Sequence, residues 1–255
     1  HVTGICPARA ADVRHRRIGA SRRPFPIIDM PADSLPILAA IFLIVGALYA
    51  AVGHAGASGY LAVMALMSVD AAIMRPTALS INILVATIAF VQFARAGHFR
   101  WGLFWPFAAA SIPAAFLGGL VQLPAHALTV AIGVVLLLTA VRMAYVAWRP
   151  PTAAHEPRPP NFPAMLAVGA VLGLVAGLTG TGGGIFLSPV FLLMGCAETK
   201  RTAATASLFI LVNTAAGVAG MAADGWIPPS HLWPLAACAA IGGLIGATLG
   251  SRRAT

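Results

Sequence analysis

Charge is scarce in this chain, and acidic charge scarcest of all. Only 9% of residues are charged and only seven are Asp or Glu, far fewer than a soluble domain of this length carries. Those seven, Asp12, Asp29, Asp33, Asp70, Glu156, Glu198 and Asp224, fall in tails, connectors or at the ends of apolar runs. The spans therefore lack the carboxylates that pumps and cation carriers use as relays or ligands. Cysteine is equally sparse: Cys6, Cys196 and Cys238 form no CxxC and cannot all pair, which suits small apolar packers or free thiols. No nucleophile, metal-ligand cluster or acid–base pair lies at depth, so neither an enzyme nor a bound metal or cofactor is expected.

What fills the chain instead is apolar sequence. Hydrophobic residues make up 59%, and the apolar runs repeatedly reach the roughly 20 residues a helix needs to cross hydrocarbon. The net charge of +9 sits in loops and tails beside these runs, where it sets topology; the expected environment is a lipid bilayer, with no nucleic-acid partner. The fold class is all-α, a polytopic helical membrane protein.

Residues 1–34 form a basic N-terminal tail with Arg9, Arg14, Arg16, Arg17, Arg22 and Arg23 and no apolar region of signal-peptide kind. Met30-Pro-Ala-Asp-Ser leads directly into the first span, which favours Met30 as the natural start over a cytoplasmic tail. Residues 35–148 read as a first transmembrane repeat, with a span near Leu35–Val52, a short segment near Ser58–Val69, and spans near Thr77–Ala94, Trp101–Val121 and Leu128–Trp148. A proline-rich linker at residues 149–162 is extended and solvent-exposed by composition. Residues 163–255 read as a second repeat, with Ala164–Leu178, a short segment near Gly182–Met194, and spans near Thr202–Ala223 and His231–Leu249. It has no counterpart of the Leu128–Trp148 span.

Several features align the two halves as an internal duplication. Gly53, Gly56 and Gly59 match Gly177, Gly180 and Gly183 at one offset, and Arg75-Pro-Thr-Ala resembles Arg201-Thr-Ala-Ala. Gly97, Trp105-Pro106 and Gly118 match Gly225, Trp233-Pro234 and Gly246 at one offset. Each short segment, as helix, reaches roughly 18–20 Å against a hydrocarbon core of about 30 Å. A re-entrant pair would give three crossings per complete half and invert the second repeat; a pair making one crossing together would leave the repeats parallel. Positive-charge counting mildly prefers the parallel case, and both stay open.

The two glycine-broken segments are the candidate site, because paired, interrupted apolar segments at matching places in two halves point to a transporter's binding site. At the first break stand Gly53, His54, Gly56, Ser58 and Gly59; at the second, Gly180, Thr181, Gly182, Gly183 and Gly184. Glycines let a ligand approach the main chain, and the unpaired amides at the start of a half-helix attract an anion. Lys-Ser or Lys-Thr does not follow the second break, so a Walker phosphate loop is excluded. His54 is either hydrogen-bonded to neighbouring backbone or a proton carrier and anion donor. Ser80, Asn82, Thr205, Ser207 and Asn213 line the cavity or tie helices together. Tyr60, Trp101, Trp105, Trp148, Trp226 and Trp233 read as interfacial anchors. Arg75 and Arg201 read as snorkelling cations, with a ligand role as the alternative.

Four stretches, Val52-Gly53-His54-Ala55-Gly56-Ala57-Ser58-Gly59-Tyr60-Leu61-Ala62, Arg75-Pro76-Thr77-Ala78-Leu79, Ala96-Gly97-His98-Phe99-Arg100-Trp101, and Gly180-Thr181-Gly182-Gly183-Gly184 leading to Ser188-Pro189, together resemble the sulfite exporter TauE/SafE family of bacterial membrane transporters. The likeness covers most of Leu35–Gly250. The first break departs from the family's denser glycine pattern at Ala55 and Ala57-Ser58. The resemblance implies a duplicated helical protein in the bacterial inner membrane that exports sulfite, organosulfonates or related small anions. An anion channel or importer, or a non-transporting assembly subunit, is the alternative, and a homo-oligomer is compatible with the sequence.

Overall fold

A computed structural model of the chain describes residues 35–121, 123–148, 161–193, 199–223 and 232–252. The basic tail with Met30, the centre of the proline-rich linker, Cys6, Cys196, Trp226 and every acid except Asp70 lie outside the described residues. The described elements are all helices: α1 Leu35–Ala51, α2 Ala57–Leu66, α3 Ala71–Arg95, α4 Trp101–Leu120, α5 Ala125–Trp148, α6 Phe162–Thr179, α7 Gly184–Leu193, α8 Thr199–Ala223 and α9 Leu232–Arg252. Among the described residues, five stretches are long and apolar enough to cross a membrane: Ile73–Arg95 of α3, and α4, α6, α8 and α9. The all-α, polytopic architecture is thus the one the described chain adopts.

Helix lengths recur in order. α1 to α4 have 17, 10, 25 and 20 residues, and α6 to α9 have 18, 10, 25 and 21. α3 and α8 start at Ala71 and Thr199, ahead of the hydropathic starts at Thr77 and Thr202. Hydropathy treats Arg75-Pro76 and Lys200-Arg201 as boundaries. Pro76 falls in the second turn of α3, where its missing N–H removes one helical bond without ending the helix.

The first turn of α2 folds back on the long helix before it. Gly59 of α2 packs on Val45 and Tyr49 of α1, the Tyr60 ring lies 4.6 Å from that of Phe42, and Ser58 donates to the Tyr49 hydroxyl at 3.1 Å. Gly183, just ahead of α7, packs in the same sense on Leu172 and Ala176 of α6. Tyr60 is fully buried, which corrects its reading as an interfacial anchor: the fold-back turns its ring inward. Trp101, Trp105, Trp148 and Trp233 are exposed, as residues at a lipid–water boundary are.

The two largest apolar cores among the described residues each draw on the other half of the chain. Leu38 and Phe42 of α1, Tyr60, Leu61 and Met64 of α2, and Ile81 and Val85 of α3 close around Leu235 and Ala239 of α9. Met165 of α6, Leu187 and Phe191 of α7, and Phe209 of α8 close around Phe104 and Phe107 of α4. Association of helices in lipid relies on close backbone approach, and small residues supply it here. Gly242, Gly246 and Gly250 of α9 stand against the carbonyls of Leu43, Ala47 and Ala51 of α1, while Gly169, Gly173 and Gly177 of α6 stand against Phe107, Ser111 and Ala115 of α4.

The packing predicts opposite outcomes for two glycines. A Cβ at Gly246 meets the Ala47 carbonyl, whereas one at Gly102 meets nothing within 4 Å. Gly246→Ala is expected to destabilise the purified protein by about 1–3 kcal/mol, read as a lowered Tm in detergent. Gly102→Ala is expected to leave Tm unchanged or raise it. Equal Tm values for the two variants would contradict the α1–α9 contact.

Candidate functional site

The second break is a run of left-handed backbone between α6 and α7. Gly180, Gly182 and Gly183 have φ of 82°, 71° and 73°, a region that glycine enters without steric cost. Gly180 ends α6, and its N–H bonds Ala176 O at 2.9 Å. Among the described residues, the N–H groups of Thr181, Gly182 and Gly183 then find no backbone acceptor, although all three residues are buried. Successive amides in such a turn form an anion-binding concavity, and they lie where the positive end of the α7 dipole adds to them.

The break lies against the middles of the two longest helices. A Cβ on Gly182 would stand 2.6 Å from Asn82 Nδ2 of α3, and 2.9 Å from Ile210 Cγ2 and Thr214 Oγ1 of α8. Asn82 and Ile210 are each next to the midpoint of a 25-residue helix. Asn82 Nδ2 donates to Thr214 Oγ1 at 3.4 Å, and the Thr179 and Thr181 hydroxyls are 3.1 Å apart. Asn82 Oδ1, Asn213 Oδ1 and Thr77 Oγ1 are buried without a hydrogen-bond partner among the described residues.

The first break, at Gly53 and Gly56 with φ of 77° and 91°, reaches the other half of the chain. Gly53 packs on Ala203 of α8. The His54 ring is held at both ends, Nδ1 lying 3.1 Å from Val52 O and Nε2 lying 3.0 Å from Ser188 Oγ of α7. With Nδ1–H donating to the carbonyl, Nε2 accepts from Ser188. Ser188 Oγ lies 3.3 Å from Gly184 O as well, so its single hydroxyl proton is shared between that carbonyl and Nε2, and the serine seats the imidazole beside α7. Gly56 caps α2 without a side-chain bond, and no backbone acceptor among the described residues takes the amides of Ala55, Gly56 and Ala57.

The sequence candidates separate on this geometry. His54 bonds Ser188 of α7, and Asn82 stands beside Gly182. Ser58 is turned toward Tyr49. Ser80 donates to Pro76 O at 2.8 Å, Thr205 to Arg201 O at 2.9 Å, Ser207 to Ala204 O at 2.9 Å, and Asn213 Nδ2 to Phe209 O at 2.8 Å. These four bond along their own helices. Sequence reasoning missed Thr179 and Thr214, and it quoted Ser188 beside Pro189 without giving it a role. Thr214 is one helical turn beyond Ile210, the only signal that it faces the break.

Arg75 is corrected outright. It is 6% exposed and does not snorkel. Its Nη1 donates to Val121 O at 3.0 Å, and Nη2 to Gly118 O at 2.7 Å and Gly119 O at 3.1 Å. The guanidinium so satisfies carbonyls that the end of α4 leaves without intrahelical partners. Arg201 is half-buried.

Comparison with known proteins agrees with this architecture. A protein-family model described as "Sulfite exporter TauE/SafE" matches residues 38–255. A protein described as "Probable membrane transporter protein y4hK" from Sinorhizobium fredii is 42% identical over 217 residues, covering 84% of this chain and 87% of that relative. No solved structure matches the chain.

The tie between the breaks is open to a double-mutant cycle. His54→Ala and Ser188→Ala are expected to couple by about 0.5–3 kcal/mol in unfolding free energy, because each removes the same hydrogen bond. Strict additivity would show that the pair does not hold the two breaks together.

Proposed function

The chain belongs to the sulfite exporter TauE/SafE family, and from that membership we propose that it is a secondary transporter exporting a small anion, sulfite or an organosulfonate, across the bacterial inner membrane. It is a multi-pass membrane transporter and not an enzyme. The observation that carries the anion reading is the set of buried amides at Thr181, Gly182 and Gly183, which have no backbone acceptor among the described residues and lie beside the midpoints of α3 and α8. An unsatisfied amide in hydrocarbon costs several kcal/mol, and an anion exchanging its water for these N–H groups removes that cost. A cation has no such compensation here, since none of the described helices carries a carboxylate.

The second break is the principal contact, with Gly180, Thr181, Gly182, Gly183 and Gly184 supplying backbone and Asn82 a side chain. The first break, through Gly53, His54, Gly56, Ser58 and Gly59, takes a secondary part, with His54 bonded to Ser188 of α7. Ser80, Thr205, Ser207 and Asn213 serve as intrahelical ties. The recurring helix lengths and the exchange of α4 and α9 support an internal duplication. The fold-back of α2 on α1, repeated where Gly183 meets α6, supports re-entrant pairs and so an inverted second repeat.

Flux into proteoliposomes is the test. Purified protein is expected to carry sulfite and short sulfonates saturably, each inhibiting the other, with little flux of chloride or a neutral solute and little effect of sodium or potassium. Gly183→Ala places a methyl 3.1 Å from Ala176 Cβ and Leu172 O at a left-handed position. It is expected to cut sulfite flux at least tenfold, at a stability cost of about 1–2 kcal/mol. Saturable transport of an amine or metal cation indifferent to sulfite would overturn the reading.

A further inference from the structure

The Arg75 guanidinium is more than a helix cap. Arginine has five N–H donors in a rigid fork. Among the described residues its partners are all carbonyls, those of Gly118, Gly119 and Val121, and Nε is buried with no acceptor. The C-terminal dipole of α4 offsets about half a charge, which leaves a buried cation only partly compensated. The same residue borders the second break. A Cβ on Gly180 would lie 3.1 Å from Arg75 Cγ and from its carbonyl oxygen. Gly118, which receives the Nη2 bond, packs on Gly177 and Leu178, the last turn of α6 before that break.

We propose that Arg75 is a substrate-binding residue: its Nε–H and residual positive charge bind one oxygen of a sulfite or sulfonate group whose other oxygens face the amides of Thr181 to Gly183. This rests on the anion-transport reading and adds to it a fixed cation and a ligand chemistry, an oxyanion with several oxygens on one centre. The α4 carbonyls hold the fork in place, so the ligand does not have to order a long flexible side chain on binding.

Two experiments test the assignment. Arg75→Lys keeps a charge able to reach the α4 carbonyls and loses Nε–H. It is expected to raise KM for sulfite roughly tenfold to a hundredfold, the effect of one charge-assisted hydrogen bond, with little change in kcat, and to abolish the rise in Tm that saturating sulfite gives the wild type. A lysine variant of lowered Tm that retains wild-type KM and the full sulfite-induced shift would show that Arg75 is a cap alone. The second experiment uses the wild-type protein, so it does not depend on the variant folding. Crystals soaked in selenite, a sulfite analogue located by its anomalous signal, are expected to show the anion within hydrogen-bond distance of Arg75 Nε. Selenite at the Thr181–Gly183 amides with Nε still bare would overturn this assignment and leave the transport reading standing. Selenite at neither place would overturn both.

Discussion

A backbone amide inside a bilayer has no water to turn to, and the fold is organised around meeting or exploiting that constraint. Along nine described helices the requirement is met internally. At the two glycine breaks it is not, and the unpaired groups are enclosed rather than exposed. The surrounding helices have to keep that irregular backbone away from lipid, since non-helical chain at depth persists only where protein or a polar cavity covers it. α3 and α8, the longest helices, do this by passing the second break at their midpoints, and the contacts of α2 on α1 and of Gly183 on α6 hold each break against the helix before it.

Enclosure of that kind needs tight packing, which explains the glycine ladders of α9 on α1 and α6 on α4. Carbonyls and Cα atoms approach there as side chains could not, and the gain is dispersion and weak C–H···O contact in the absence of a hydrophobic drive between helices. The exchange of α4 and α9 between cores makes neither half complete without the other. The polar groups are correspondingly interior, while Ile37, Ile44, Leu48, Val171, Ile241 and Leu244 face outward. An outward apolar surface of this sort is what lipid-facing helices present.

Much of this was legible from composition and glycine spacing. Runs of apolar sequence announced the helices, and the Gly180–Gly184 cluster announced the break, because three consecutive glycines make poor helix and poor packing ridges alike. Partners were not legible. Hydropathy assigns α9 to the second half and is blind to its contact with Leu38 and Phe42. Arg75 looked like a snorkelling cation because a one-dimensional reading cannot see the carbonyl end of α4 some forty residues away. The sequence reading names Asn213 and passes over Thr214, yet helical phase turns Thr214 to Gly182 and Asn213 back to Phe209. Tyr60 failed for a similar reason: the fold-back that buries its ring on Phe42 follows from the turn geometry of Gly53 and Gly56, which aromatic position along the chain does not encode.

The central claim is that the amides of Thr181, Gly182 and Gly183 bind the transported anion. Amide proton shifts of these residues, measured by solid-state NMR on labelled protein in bilayers during a sulfite titration, test it most directly. The account predicts saturable downfield shifts at all three, from the hydrogen bonds they lack without substrate. Unchanged shifts at all three, in protein that transports sulfite in the same bilayers, would contradict it.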